Sequence, residues 1–275
     1  MATHTGATKE YAPGTNDAEL LRLGVQHRLW SQSAFSIWER AGVTKGKTVL
    51  DAGCGPGYTS FDIAGLVTET GKVIAIDEST SYIEYLKQWQ RLVGDTAIDA
   101  RVGDVQHLDL PHASVNVAYQ RWVLCFVKDP DAVIRGVADA LKPGGTFAIQ
   151  DYVNLEGGLV SPESRAFRRL MAASAEAWNG HGGDSRIGLR LPSLLSKHGF
   201  DPLDIRPLQR IARSRSQLWN WPTIYINTYA PKLVEEGRLT KQEHEELLRD
   251  WEVRTNDPNA FFLAPAMVEI LAVKK

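Results

Sequence analysis

The chain has 275 residues, 43% of them hydrophobic, and 31 Lys+Arg against 33 Asp+Glu leave a net charge of -2. That is apolar material for one large core with insertions, while the balanced charge offers no footprint for nucleic-acid phosphates or an anionic membrane. The two cysteines, Cys54 and Cys125, have no partner at metal-ligand spacing, and no apolar run reaches the ~18 residues of a membrane span, so a cytoplasmic protein with no metal, nucleic-acid or membrane partner is expected.

From Asp17 to about Val43, Leu20, Leu21, Leu23, Trp30, Phe35, Ile37 and Trp38 recur at broadly helical spacing, with Asn16 or Asp17 as N-cap. Residues 1–43 read as a helical N-terminal arm. Short apolar runs then alternate with amphipathic segments through residues 44–152. KTVLDAG, KVIAID, AIDARVGD, VNVAYQRW and TFAIQDY read as strands, which implies a parallel sheet with crossover helices. The run Lys142-Pro143-Gly144-Gly145 ends a helix and turns into the last of these strands, since Pro cannot continue the helix and Gly supplies a positive φ. Residues 153–275 read as completion of the sheet plus a helical cap. Helices are expected at about 162–179 and 190–198 and twice within 214–256, and strands at about 203–212 and 266–273.

The segment Val49-Leu50-Asp51-Ala52-Gly53-Cys54-Gly55-Pro56-Gly57 is a buried strand running into a glycine-rich turn and then a helix. Gly53, Gly55 and Gly57 allow a ligand to lie close against the backbone. A dinucleotide fingerprint needs its third glycine at position 58, which is Tyr58, and a phosphate loop needs a Lys-Ser/Thr pair that Tyr58-Thr59 does not supply. Strand KVIAID ends in Asp77, placed to accept hydrogen bonds from both hydroxyls of a ribose. Gly103-Asp104-Val105 follows the next strand, and its acid can accept from an exocyclic amino group such as that of adenine. Asp51, Asp77 and Asp104 thus stand at the carboxyl ends of three successive strands, where open α/β sheets bind ligands.

In their order and spacing, VLDAGCGPG, IAID, GDV and the LKPGG turn resemble the motifs of class I (Rossmann-like) methyltransferases that use S-adenosylmethionine (SAM). The match covers about residues 47–152. More loosely, the arm and GHGGDSRIGLRLPSLLSKHGF resemble bacterial small-molecule methyltransferases of the ubiquinone/menaquinone C-methyltransferase group. The resemblance implies an α/β fold with a seven-stranded, doubly wound, mostly parallel sheet and SAM as cofactor. It places Asp51 and the turn of Gly53, Gly55 and Gly57 on the methionine portion, Asp77 on the ribose, and Gly103, Asp104 and Val105 at the adenine. Tyr82 stands where the family often sets an apolar residue against the adenine face.

After the fourth strand, Gln120, Arg121 and Trp122 are expected near the reaction, with Arg121 on the cofactor or on the substrate. That loop has neither the Asn/Asp-Pro-Pro-aromatic tetrapeptide of DNA amino-methylating enzymes nor an acid between Asn116 and Phe126. A sulfonium leaves as a neutral thioether, so positioning and desolvation dominate and any base depends on the acceptor. His27 and His181 are the candidate bases, and Tyr11 and Trp30 candidate lids over the sulfonium. Trp178, Trp219, Trp221, Tyr225 and Tyr229 lie outside the core strands and suit a lipophilic or aromatic small-molecule acceptor with an O, N or C nucleophile. Two alternatives stay open: a catalytically silent SAM-binding regulatory module, and a NAD(P)-dependent oxidoreductase. Oligomeric state is open as well, a homodimer included.

Overall fold

The computed structural model describes residues 17–275, so Tyr11 and the beginning of the arm lie outside the described residues. The arm is one long helix, α1 (Asp17–Ala41), and the core continues as β1 (Thr48–Ala52), α2 (Tyr58–Val67), β2 (Lys72–Asp77), α3 (Thr80–Val93), β3 (Ile98–Val102), β4 (Val115–Arg121), α4 (Pro130–Ala140) and β5 (Leu141–Asn154). After it come β6 (Leu159–Ser161), α5 (Arg165–Gly180), α6 (Leu191–Lys197), β7 (Phe200–Leu208), β8 (Ile211–Arg213), α7 (Asn220–Glu235), α8 (Lys241–Asn256), β9 (Phe261–Leu263) and β10 (Ala266–Lys274).

Seven strands form one sheet in the order β3-β2-β1-β4-β5-β10-β7, with β10 antiparallel to both of its neighbours and the pairs from β3 to β5 parallel. Successive strand residues serve opposite faces, so in β1 Val49 enters the core shared with α1, α2 and α3 while Leu50 enters the core shared with α4, α5 and α6. Local sequence fixes the helix starts. Ser79 accepts from the Tyr82 amide at 3.3 Å before α3, Asp129 accepts from the Ala132 amide at 2.9 Å with Pro130 opening α4, and Thr240 with Glu243 forms a capping box on α8.

The expected seven-stranded doubly wound sheet is present, and the departures from expectation are local. Helix α4 stops at Ala140, and Lys142-Pro143-Gly144-Gly145 becomes a bulge inside β5, with Gly144 at φ +73° and the register slipping between the Val115–Leu141 and Val117–Thr146 pairs. The single strand expected at 203–212 is broken into β7 and β8, and β8 joins a small antiparallel sheet ordered β6-β9-β8. Its strands of three residues each are too short to show a two-residue period.

Helix α1 packs as part of the core, with Trp30, Ala34, Ile37 and Trp38 buried. At its last turn Arg40 reaches the far edge of the sheet, pairing with Asp204 of β7 and the largely buried Glu269 of β10, each at 2.5 Å. Glu269 also accepts from Gln150 at 2.6 Å, and Gln150 from the Tyr119 hydroxyl at 2.9 Å, so one polar chain ties the arm to β10, β5 and β4. Removing one member of such a pair leaves a buried charge without its counter-ion. Arg40→Ala is expected to destabilise by about 2–4 kcal/mol, discounted for partial exposure of the pair, whereas Arg40→Met with Glu269→Gln recovers most of that loss. Denaturant melts of the two variants check it.

Candidate active site

A cleft of about 1150 Å³, measured to its open mouth, runs along the carboxyl ends of β1, β2 and β4. Its floor is the turn between β1 and α2, where Gly53, Gly55 and Gly57 have φ of +76°, +55° and +88°. The three do different work. A Cβ on Gly53 would fall 2.4 Å from Val123, and one on Gly57 2.4 Å from Leu86 of α3, so both allow packing. At Gly55 a Cβ would meet nothing within 4 Å, because the residue opens onto the cleft it lines. Only that glycine is a cradle a ligand fills.

Asp51, next to last in β1, is buried and accepts from Ser60 at 2.6 Å. Burial lifts its carboxyl to about 7, against the opposing pull of the Ser60 hydroxyl and the nearby Arg121 guanidinium. Asp77 accepts the Gly55 amide at 2.8 Å on Oδ2 and the Ser79 amide at 2.9 Å on Oδ1, so it holds the turn as well as lining the cleft. Each oxygen keeps lone-pair capacity toward a ligand. Burial raises its carboxyl too, opposed by those two amides. Asp104 is more exposed; burial raises it, but hydrogen bonds from Gln106 and His107 prevail and leave it below the usual carboxylate range. Val105 and Tyr82 line the same end of the cleft, both buried, while Gly103 is set back from it, its amide bonded to the Asp77 carbonyl at 2.9 Å.

At the other end Arg121 donates to His27 Nδ1 at 3.1 Å, and His27 Nε2 lies 2.9 Å from Asp62 of α2. A guanidinium only donates, so Nδ1 is placed to accept and Nε2 to donate to Asp62. His27 lines the cleft with both nitrogens engaged. His181 does not enter the site. It caps the C-terminus of α5, half exposed, 3.8 Å from Glu236, and lines neither cavity. Its loop turns outward, which corrects the expectation that it faces the pocket. Trp30 lines neither cavity and backs their shared wall, its ring 4.9 Å from Trp221 and 5.7 Å from Trp122, so it is packing and no lid. Gln120, expected beside Arg121 near the reaction, points to the opposite face of β4 and is fully buried.

A second chamber of about 620 Å³ adjoins the cleft, and Gln26, Trp122 and Phe126 line both. Trp122 adopts φ +54°, a left-handed turn that lets Arg121 and its neighbour both reach the cavities. The aromatic residues of the cap divide here. Trp178, Trp221 and Tyr225 line the chamber with Phe167 and Phe262. Trp219 instead stacks on Trp251 at 4.5 Å, and Tyr229 packs beside Tyr225 outside the lining. The sequence reading passed over Gln26, Asp62 and Phe126. None sits in a motif, and only the fold brings α1 and α2 beside the β4 turn. No group of His, Cys, Asp and Glu able to hold a metal is found among the described residues. No described helix is long and apolar enough to cross a membrane.

A family model described as a methyltransferase domain matches residues 43–199, more than half of the chain. An uncharacterized 37.1 kDa protein in transposon TN4556 of Streptomyces fradiae is 34% identical over 177 residues, 61% of this chain and 47% of that protein. The ubiquinone/menaquinone biosynthesis C-methyltransferase UbiE of Escherichia coli is 29% identical over 150 residues, 54% of this chain and 57% of that protein. The chain spans about half the length of these curated relatives. Geranyl diphosphate C-methyltransferase from Streptomyces coelicolor A3(2), solved with Mg2+, geranyl-S-thiolodiphosphate and S-adenosyl-L-homocysteine, superposes with a TM-score of 0.57 at 15% identity, over 90% of this chain and 77% of that one, and shows the fold. The chain belongs to the methyltransferase-domain family and has the fold of the class I SAM-dependent methyltransferases.

Proposed function

We propose that this protein transfers a methyl group from SAM to a small lipophilic or aromatic acceptor. The observation that carries the reading is the pair of cavities meeting at Gln26, Trp122 and Phe126: a polar cleft along the strand ends, and an aromatic chamber opening beside it. The cleft residues fit the cofactor. Gly55 gives the backbone approach, Asp51 suits the ammonium of the methionine portion, Asp77 has lone pairs for a ribose, and Asp104 with Val105 and Tyr82 suits the adenine. When bound, SAM supplies an electrophilic methyl whose bond to sulfur breaks with its electron pair staying on sulfur, while a lone pair of the acceptor forms the new bond.

The work of the chain's own residues is positioning. Trp122 and Phe126 wall the meeting point, and Trp178, Trp221, Tyr225, Phe167 and Phe262 exclude water from the acceptor's side. Among the described residues no Asp, Glu, His or Lys lines the chamber. His27, facing the cleft, already donates one nitrogen and accepts at the other, so a chamber without a free base selects acceptors that need none from the protein. A lipophilic acceptor agrees with the geranyl diphosphate relative in kind, and the aromatic lining also admits flat rings. The family assignment displaces the oxidoreductase alternative, and a silent SAM-binding module leaves the second chamber without a purpose. Incubation with methyl-labelled SAM and a metabolite extract tests the proposal: label in an organic-soluble product is expected, and binding of S-adenosylhomocysteine without any labelled product would return the silent module.

Four variants extend the test. Asp77→Ala is expected to weaken S-adenosylhomocysteine binding by about 1.5–3 kcal/mol, roughly 10- to 150-fold, and to lower the melting temperature, because the Gly55 and Ser79 amides lose their acceptor. Calorimetry and thermal melts together read both.

The Asp51 carboxyl has a folded value near 7, above its ordinary value, so its contribution to stability is complete at acid pH and is lost as pH rises toward 7. A ligand ammonium favours the carboxylate, so binding below pH 7 must first expel a proton. Affinity for S-adenosylhomocysteine is expected to rise about tenfold from pH 6 to pH 8, with Asp51→Asn flattening the profile. Binding isotherms across that range check it.

Tyr225→Ala and Trp219→Ala should part company. Tyr225 faces the chamber, so its loss is expected to raise the acceptor's Michaelis constant while leaving SAM affinity within about twofold. Trp219, stacked on Trp251 and bonded to Thr255 at 3.0 Å, is expected to cost about 3–5 kcal/mol of stability. Melting temperature and acceptor kinetics on the two variants distinguish them.

A further inference from the structure

Gln26 of α1 lines both cavities at their meeting point. Its Oε1 accepts from Arg22 Nη1 at 2.8 Å and from Trp221 Nε1 at 2.9 Å. Both partners can only donate, so the oxygen must face them, which settles the orientation of the amide. The Nε2 group is then turned away from that pair, and it has no hydrogen-bond partner among the described residues. Two donors of fixed direction, one amide wide, are left at the point where the two cavities join.

These donors are strengthened from behind. Arg22 is buried and held by Glu19 through two contacts, Nε to Oε2 at 2.7 Å and Nη2 to Oε1 at 2.6 Å. A cation donating into the amide oxygen draws electron density from the nitrogen and makes its N–H groups better donors, an effect enlarged by low local dielectric. Trp221 adds a second donor to the same oxygen. The line Glu19–Arg22–Gln26 is therefore a supported polar array whose free end is a pair of donors, in a region otherwise walled by Trp122, Phe126 and Trp221. Such an end calls for an acceptor atom.

We propose that Gln26 binds and orients an oxygen of the methyl acceptor, and that this oxygen is a phenol or enol hydroxyl taken up as its anion. The inference rests on the methyl-transfer reading and deepens it. The groups facing the junction agree in sign. Arg22 and Arg121 are nearby cations, the negative charge of Glu19 is turned onto Arg22, and both ring nitrogens of His27 are engaged, Nδ1 with Arg121 and Nε2 with Asp62. Asp51 lies beyond, protonated or ionised around pH 7, beside Arg121. Tyr152 of β5 and Tyr225 of α7 complete the wall, and burial pushes both phenols up, so they stay neutral. Among the described residues nothing lining the chamber is a base for that proton, and the amide instead favours an acceptor that has already lost it. Meeting a sulfonium with an oxyanion also destroys charge as the new bond forms, which an apolar surround favours over water. Arg22 and Glu19 act through Gln26 and are positioning residues.

The test uses binding, with activity as no part of the readout. The full-length protein, saturated with S-adenosylhomocysteine, is titrated with 4-nitro-1-naphthol, a two-ring phenol whose anion absorbs in the visible, across a pH range spanning its free ionisation. Wild-type protein is expected to prefer the anion about tenfold over the neutral phenol, so the bound probe ionises about one pH unit below the free one. Gln26→Glu keeps an oxygen for Arg22 and Trp221 but replaces the two N–H donors with a second carboxylate oxygen, and it should reverse the preference, with at least a tenfold loss of anion affinity. Gln26→Leu, which deletes both functions, should fall between them, and an unshifted thermal melt of Gln26→Glu shows that the fold is intact. Equal anion preference in wild type and Gln26→Glu overturns the assignment, as does a wild-type complex that takes the neutral phenol or none at all. Failure of S-adenosylhomocysteine itself to bind wild-type protein overturns the methyl-transfer reading instead, so the two failures are told apart.

Discussion

The turn that follows β4 governs the site. Trp122 adopts φ +54° while its backbone N–H donates to the Gln150 carbonyl at 2.9 Å, so the chain turns back toward β5 within a single residue. A non-glycine residue in that region carries strain that its surroundings must hold. They do so through Asp151 of β5, which is fully buried and accepts the Cys125 amide at 3.3 Å, and through the Trp122 indole, which donates to Met267 at 3.1 Å. Without this turn Arg121 would not reach His27, and Trp122 and Phe126 would not stand between the cleft and the chamber. Burial raises the Asp151 carboxyl to about 6, opposed by the amides it accepts.

Charge is distributed so that the cleft and the chamber have different dielectric character. The cleft gathers Asp51, Asp77, Asp104 and Arg121, two of the carboxyls raised by burial, and a cationic cofactor is the counter-charge such a set favours. On the chamber side the charged groups are satisfied internally, as in the Glu19–Arg22 pair, and the exposed lining is aromatic. A sulfonium at the boundary would have carboxylates behind it and ring faces before it. The boundary is the place where charge can be removed at least cost.

The cleft was legible in the sequence because its signals are local. Gly53, Gly55 and Gly57 lie within five residues, and Asp51, Asp77 and Asp104 each follow a short apolar strand, so backbone geometry alone brings them to one sheet edge. The spacing did not reveal the division of labour among the glycines, since only the neighbours Val123 and Leu86 show that two of them serve packing. The acceptor half is built from contacts between residues far apart in the chain. Gln26 meets Trp221 across 195 positions and His27 meets Arg121 across 94, and no period or motif records either meeting. His181 was misleading for the same reason: a glycine-rich loop announces a turn, and the direction the turn takes is a tertiary fact.

The cleft and the chamber are therefore separable in part only. Asp77, Asp104 and the glycine turn touch the cleft alone, and Tyr225, Phe167 and Phe262 the chamber alone. Gln26, Trp122 and Phe126 belong to both, and Gln26 is hydrogen-bonded to Trp221 of the chamber wall while its neighbour His27 is hydrogen-bonded to Arg121 of the cleft. A shift of α1 that loosens one contact loosens the other, because adjacent residues of a helix move together. Occupation of the cleft that orders α1 would thus order the chamber's donor as well, a coupling that needs no change of shape beyond the settling of one helix. The arm is then what joins the two cavities: His27 lines the cleft and Gln26, next to it on the same helix, lines both.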